Sequence, residues 1–347
     1  MRIAEYRQWL ADGKAGTMSY LQRSAERRAN PELILPGVKS IITVTENYYT
    51  EPLPPELRRN PARGLIASYA WGDDYHDVLL AKLEQLARFI SEQANDVTVK
   101  CYVDTGHILE RDYAARTGLG FIGKNTMLIQ PQRGSYFFLG EILTTLELTP
   151  TTPDKMPSCG TCTRCLQACP THALPAAYIL DSNLCISYLT IEYKGIIDRR
   201  LRPLLGNHIF GCDDCQECCP WNLFAKPTEE TAYRGDLQRQ APLLTELAEL
   251  DETGFREWFA GSPVLRPKYS GFMRNVAIAL GNWGAAEAVD ALERLVSLDD
   301  ALVRLHAAWA LGQCQTDKAL QLLQSIASSD ADDRVRQEAA HALAGLD

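Results

Sequence analysis

The stretch Ser158–Pro170 reads SCGTCTRCLQACP: Cys159, Cys162 and Cys165 are each separated by two residues, and Cys169 follows after three more, with a proline behind it. This is the spacing of a bacterial ferredoxin run, in which three thiolates from one tight loop bind a four-iron, four-sulfur cubane and the Cys-Pro cysteine crosses to a second cluster. A second run, GCDDCQECCPW at Gly211–Trp221, spaces Cys212 and Cys215 by two and again sets a cysteine, Cys219, before proline. The chain is therefore expected to fold around two [4Fe-4S] clusters and to move electrons. On this pattern Cys219 joins Cys159, Cys162 and Cys165, while Cys169 joins Cys212 and Cys215. Cys185 and Cys218 compete for the remaining place, and spacing alone favours Cys218. Zinc also takes paired C-x-x-C units, but two runs that both end in Cys-Pro match iron–sulfur chemistry better. Disulfides need an oxidising compartment, and the opening MRIAEYRQWLADGK is amphipathic, without a leader's apolar core. Cys101 and Cys314 fall in apolar strand-like and helix-like surroundings and read as core.

With 347 residues there is room for two or three domains. The 46% apolar and 23% charged fractions are those of an ordinary soluble protein. No apolar run approaches the roughly 18 residues of a membrane span, so the expected setting is cytoplasmic and reducing, with no membrane partner. The net charge of −9 argues against non-specific nucleic-acid binding. It is uneven, however: residues 284–347 hold 11 Asp+Glu against 5 Lys+Arg. Basic clusters remain upstream at Arg58, Arg59 and Arg63, at Lys194, Arg199, Arg200 and Arg202, and at Arg266, Lys268 and Arg274. A charge run is ordinarily a solvated face, but three such runs in an acidic chain keep a specific nucleic-acid contact in view.

The fold class expected is α+β, with an α/β-like cofactor domain at residues 1–150. Ile41–Thr45, Leu65–Tyr69 and Val97–Val103 read as strands, and Tyr136–Leu148 as one long strand or a hairpin. Asp77–Ala94 reads as an amphipathic helix with Val78, Leu79, Leu83, Leu86, Phe89 and Ile90 on one face, and Ile108–Thr117 as another helix. A proline-punctuated linker at 150–157 leads into a two-cluster ferredoxin-like domain, 151–227, which includes the helical stretch Cys185–Lys194. The helical region 228–347 ends in repeats: RNVAIALG at Arg274–Gly281, RLHAAWALG at Arg304–Gly312 and RQEAAHALA at Arg336–Ala344 recur at intervals of 30 and 32 residues. With partner helices at Ala286–Leu298 and Lys318–Ala327, they predict an α-solenoid of HEAT-like repeats, either a binding surface or a buttress.

Taken together, GTMSYLQRSAERRANPELILPGVKSII, SYAWGDDYHDVL, VDTGHILERDYAARTGLGFIGKNTMLI, GSYFFLGEILT, LCISYLTIEYKG and GCDDCQECCPWN give the chain a resemblance, over nearly its whole length, to the epoxyqueuosine reductases. These are cobalamin-dependent iron–sulfur enzymes of tRNA modification. The resemblance implies reductive removal of the epoxide oxygen from epoxyqueuosine at the tRNA wobble position, giving queuosine. Two electrons relayed through the clusters would bring cobalamin to its nucleophilic cob(I)alamin state, and attack on the epoxide carbon, protonation of the opened oxygen and loss of water would follow. The partners implied are the tRNA anticodon stem-loop, which the basic clusters and Glu192–Lys194 are expected to face, and an external electron donor; the chain is expected to be a monomer.

The resemblance also assigns residues. Asp104, which by itself reads as a turn or cap residue before Thr-Gly, becomes the proton donor, for which burial must raise its pKa. Arg23, Lys124, Asn125, Ser135 and Ser187 become cobalamin contacts. Cys159, Cys162, Cys165 and Cys219 go to one cluster; Cys169, Cys185, Cys212 and Cys215 go to the other, so that Cys185 displaces Cys218. Asp74, His76 and Leu79 approach the D-x-H-x-x-G cobalamin motif, but leucine stands for its glycine, and His76 reads as a helix-start or core histidine. His107, where a proline or small residue is expected, either modulates Asp104 or fills the turn. Relatives carry a further segment before the stretch that begins at Arg2 here, so the first part of the cofactor domain is expected to lie upstream. Two other readings fit the cysteine runs. One is a reductive dehalogenase-like reductase, whose respiratory members bear a twin-arginine leader and lack HEAT repeats; the other is a non-enzymatic electron-transfer ferredoxin on a helical scaffold, which would not retain cobalamin.

Overall fold

The β-branched run SIITVTEN forms strand β1 (Ser40–Asn47) in the computed structural model, which describes residues 2–94 and 96–345. Helix α1 (Tyr75–Gln93) begins where Asp74 caps it, the carboxylate accepting the His76 backbone N–H at 3.0 Å. Of its expected apolar face, Leu79, Leu83 and Ile90 are buried, whereas Leu86 and Phe89 stay exposed. Strand β2 (Val99–Tyr102), helix α2 (Glu110–Arg116) and strand β3 (Phe137–Thr144) follow. The three strands make an antiparallel sheet in the order β1-β3-β2. In its centre Glu141 lies opposite Thr43 on one side and Tyr102 on the other.

Alternation along β3 decides which helix each residue meets. Gly140 faces α1, where an added Cβ would stand 2.8 Å from Leu83. Glu141 and Leu143 point the other way, and Leu143 packs with Leu35 and Ile108, flanked by Tyr102 and Tyr113 of α2. A carboxylate thus shares a face with an apolar cluster.

The chain divides into two compact units built from interleaved segments. One comprises residues 1–51, 72–183 and 213–234, and the other 52–71, 184–212 and 235–347. The ferredoxin-like stretch 151–227 contributes to both. In the second unit the expected strand Leu65–Tyr69 is cut short. Only Leu65–Ile66 pairs, in parallel with His208–Phe210 across a register shift. Ser68–Ala70 turns into a 3-10 helix, and the Trp71 indole N–H returns to the Ile66 carbonyl at 2.7 Å.

The second unit also holds helix α3 (Ile186–Ile191) and the solenoid: α4 (Lys268–Trp283), α5 (Ala288–Leu295), α6 (Ala301–Cys314), α7 (Asp317–Ser329) and α8 (Asp333–Ala344). The glycine that closes each of the first two repeats has a packing reason. A Cβ on Gly281 would meet Ala310 of α6 at 2.8 Å, and one on Gly312 would meet Ala342 of α8 at 2.8 Å, so glycine sets the spacing of α4, α6 and α8.

Two members of the basic clusters turn inward, against the expectation that the clusters face RNA. Arg274 is fully buried and donates to the carbonyls of Leu189, Tyr193 and Gly195. Arg202 is 1% exposed and pairs with Glu338 of α8 at 2.7 Å. Their charges serve the unit's interior, where a buried cation needs such partners. No helix among the described residues is long and apolar enough to cross a membrane.

Candidate active site

The cysteine loop and the Cys219 turn close on one cavity in the first unit. Cys159, Cys162, Cys165 and Cys219 line it with Asn125, Ile129, Arg164, Pro220 and Trp221. Gly160, at φ +52°, supplies the left-handed turn inside the loop. Lys124 gives its backbone N–H to Cys159 Sγ at 3.4 Å and its ammonium to the carbonyls of Gly160 and Cys162 at 2.7 and 2.9 Å. The Asn125 amide donates to the Cys215 carbonyl at 3.1 Å. Burial, and then the neighbouring sulfurs, push the Cys165 and Cys219 thiols above their ordinary range. Four converging thiolates are stable there only against compensating positive charge, which an iron core supplies. The residues present fit a cubane.

Cys218 is absent from that lining. Its thiol donates to the Cys215 carbonyl at 3.6 Å, and burial, before the Cys165 and Cys219 sulfurs, pushes it up to about 11. Cys169, after the short helix Arg164–Ala168, accepts the Ala173 N–H on its sulfur at 3.2 Å.

A second constellation forms at the end of β2, where Asp104 occupies the left-handed region at φ +55°. Its backbone N–H donates to Glu110 Oε1 at 2.7 Å, and its carboxylate lies 3.6 Å from His76 Nε2. The other ring nitrogen of His76, Nδ1, is 2.7 Å from Asp74 Oδ1. Helix α1 thus presents His76 between two carboxylates. Burial pulls the imidazole's pKa down, but the bonds to Asp104 and Asp74 and their charges outweigh it and raise it to about 9. Desolvation lifts the Asp104 carboxyl, yet His76, with the Tyr75 hydroxyl and Arg111, brings it below the usual range. The Asp104 side chain is 64% exposed and that of His76 30%.

Burial was expected to raise the Asp104 carboxyl; beside His76 it is instead held low, and its side chain is open. His76 is more than a helix-start residue. The Asp74-x-His76 spacing carried the signal, since an N-cap aspartate two residues before a histidine can bind both its backbone N–H and its ring.

The remaining expected residues are dispersed. Ser135 is buried; its N–H donates to Asn222 Oδ1 at 2.7 Å, and Gln216 Nε2 donates to its carbonyl and hydroxyl at 3.2 Å. Lys124, Asn125 and Ser135 tie down the cysteine-bearing backbone. Arg23 is exposed at the end of the short helix Ser19–Arg23, and Ser187 lies on α3 in the second unit. Burial, followed by Arg28, Arg27 and Lys100, lowers the pKa of His107, so it is a neutral imidazole near cations.

The cysteine cavity marks the chain as an iron–sulfur oxidoreductase. Its sequence is 41% identical over 315 residues to the epoxyqueuosine reductase of Xanthomonas campestris, covering 89% of this chain and 88% of that one, and 38% identical over 311 residues to that of Escherichia coli, covering 88% and 80%. The chain belongs to the epoxyqueuosine reductase family. Residues 28–105 match the model "Epoxyqueuosine reductase QueG, DUF1730", residues 158–222 the "4Fe-4S double cluster binding domain", and residues 272–344 the HEAT repeats. Among solved structures, an epoxyqueuosine reductase from Bacillus subtilis, described with its catalytic loop swung out of the active site, superposes with a TM-score of 0.89 at 31% identity, covering 99% of this chain and 91% of that one. An epoxyqueuosine reductase with an epoxyqueuosine-modified tRNA-Tyr stem loop superposes with a TM-score of 0.86 at 33% identity, covering 93% and 86%. The dehalogenase-like and ferredoxin-scaffold readings give way to this family. Its cofactors are two [4Fe-4S] clusters, for which the double-cluster match is direct, and cobalamin.

Proposed function

We propose that the chain reduces epoxyqueuosine to queuosine at the wobble position of tRNA, with Asp104 and His76 as the pair that protonates the opened epoxide oxygen. The observation that carries this reading is the open Asp104 carboxylate 3.6 Å from an imidazole that keeps its proton at neutral pH. The relative solved with a modified tRNA stem loop supports the substrate.

Two electrons and two protons convert the epoxide into a carbon–carbon double bond and water. Cobalamin, when bound, supplies the nucleophile that opens the ring, and the clusters supply its electrons. Asp104, open to solvent beside His76, can be reached by a substrate. The chain's own task is the proton. His76 stores it, Asp104 stands exposed to pass it to the oxygen, and Asp74 fixes the ring so that Nε2 points at Asp104. An alkoxide forming at this point is a far stronger base than either group, so transfer is downhill from the pair.

Cys159, Cys162, Cys165 and Cys219 hold one cluster in this reading, and Cys169, Cys185, Cys212 and Cys215 the other, as the resemblance implies. Arg23, Lys124, Asn125, Ser135 and Ser187 are the cobalamin contacts that the resemblance implies, and Lys124, Asn125 and Ser135 also support the cysteine loops. The enzyme works in the cytoplasm as a monomer with an external electron donor, and Arg59, Arg200 and Lys268, which are exposed, approach the stem-loop phosphates. The test is turnover of an epoxyqueuosine stem-loop by the reconstituted enzyme under chemical reduction. Asp104→Asn is expected to lower kcat by about 10²- to 10⁴-fold, the usual share of a general acid, with iron and cobalamin content unchanged. Wild-type turnover by that variant would exclude the role.

A further inference from the structure

Two acids near Asp104 take no part in that proton transfer. Glu110 is the first residue of α2, and Glu141 sits in the middle of β3 on the face it shares with buried Leu143. Glu141 is 0% exposed. As a carboxylate it has no donor for either oxygen among the described residues, and Thr43 Oγ1, on the strand position opposite, is likewise buried without a partner. An isolated charge is costly in such a place. The Glu110 and Glu141 side chains are within hydrogen-bonding reach of each other, a bond that exists only when one of them carries a proton. Burial first, and then the negative charge of neighbouring carboxylates, raises both acids, Glu110 to about 7 and Glu141 well above its ordinary value. A proton shared by the two acids supplies the donor that the buried Glu141 oxygens otherwise lack.

The second contact gives this arrangement a use. Glu110 Oε1 also accepts the backbone N–H of Asp104, a non-glycine residue held in the left-handed region, a conformation that persists only where its surroundings enforce it. We propose that Glu110, hydrogen-bonded to Glu141, is a positioning residue for the reaction: it clamps the main chain at Asp104 and so holds the acid-bearing loop 103–109 against His76. Around the pair stand Asp104 itself, Arg111 on α2, His76 of α1 beyond Asp104, Tyr102 on β2 and Thr43 on β1. Arg28 secures the far end of the loop, donating to the Ile108 carbonyl at 2.7 Å. Once the shared proton is lost at high pH, Glu110, Glu141 and Asp104 face one another as three carboxylates, and the clamp fails.

The proposal rests on the reductase reading, so its test has an arm independent of turnover. In hydrogen exchange on the intact protein, Glu110→Ala is expected to speed exchange across residues 103–109, and kcat to fall by about tenfold or more, equivalent to about 1.4 kcal/mol in the barrier, with iron content and KM for the stem-loop unchanged. Glu110→Gln, which still accepts from the Asp104 N–H, restores both. Glu141→Gln, a permanent donor of the same shape, keeps kcat within about twofold at neutral pH and raises the pH at which loop exchange accelerates. Unchanged exchange in Glu110→Ala, or a Glu141→Gln profile superimposable on the wild type, would overturn the clamp. Inactivity of the wild type together with these exchange shifts would instead contradict the reductase reading and leave the clamp standing.

Discussion

In the proposed reaction His76, whose pKa its two carboxylate partners raise to about 9, stores the proton that Asp104 delivers. This has a measurable pH signature. With the imidazole raised to about 9, the charged pair persists through the neutral range, and the account predicts that kcat/KM falls as pH rises through about 9. His76→Asn removes the store. Asp104 then loses the charge that depresses its own pKa, and activity should survive only on the acid side, where Asp104 can carry the proton itself; a pH–rate profile of the two proteins checks this. The sign for stability is the same, because a pKa raised on folding contributes stability that is full below about 6.5, the unfolded histidine value, and is lost as pH rises through about 9. At the cysteines, Cys185→Ala should remove about half the iron, one of two clusters, and Cys218→Ala none; iron analysis that gave the reverse would reinstate the spacing-only assignment.

At the scale of elements, the cysteine runs and the solenoid were legible in the sequence because both are local patterns: spacing within one loop, and a helix repeated at intervals of 30 and 32 residues. Helices α1, α2, α4, α6 and α8 and strands β1, β2 and β3 lie where periodicity puts them. What was hidden depends on contacts remote in sequence. Leu65–Tyr69 has a strand's composition, but its partner His208–Phe210 offers only a short, shifted edge. Glu141 reads as the polar outward residue of an alternating strand, and only the packing of α2 over that face turns it inward. Arg202 and Arg274 read as surface charge until Glu338 and the carbonyls around α3 take them up. Glu338 is 7% exposed and pairs α8 with both Arg199 and Arg202. Glu338→Ala leaves Arg202 buried without its counter-charge, and should cost about 3 kcal/mol of unfolding free energy in denaturant titration, whereas Arg200→Ala, at an exposed pair with Asp198, should leave the titration unchanged.

For the whole molecule, an acidic chain of net charge −9 must hold a polyanion through a few exposed cations. If it does, the log of stem-loop affinity falls with the log of salt concentration with a shallow slope, because each neutralised phosphate adds about 0.7 to 0.9 to it. Removing Arg59 or Lys268 should flatten the slope further, and removing buried Arg274 should leave it unchanged in protein that still folds. The central claim, that this chain removes the epoxide oxygen, is tested most directly in tRNA from cells lacking the protein and otherwise without such an enzyme. Mass spectrometry of the wobble nucleoside is predicted to find the species one oxygen heavier than queuosine, replaced by queuosine when the wild-type chain is restored and not when Asp104→Asn is. Queuosine at its normal level without the chain would contradict the account.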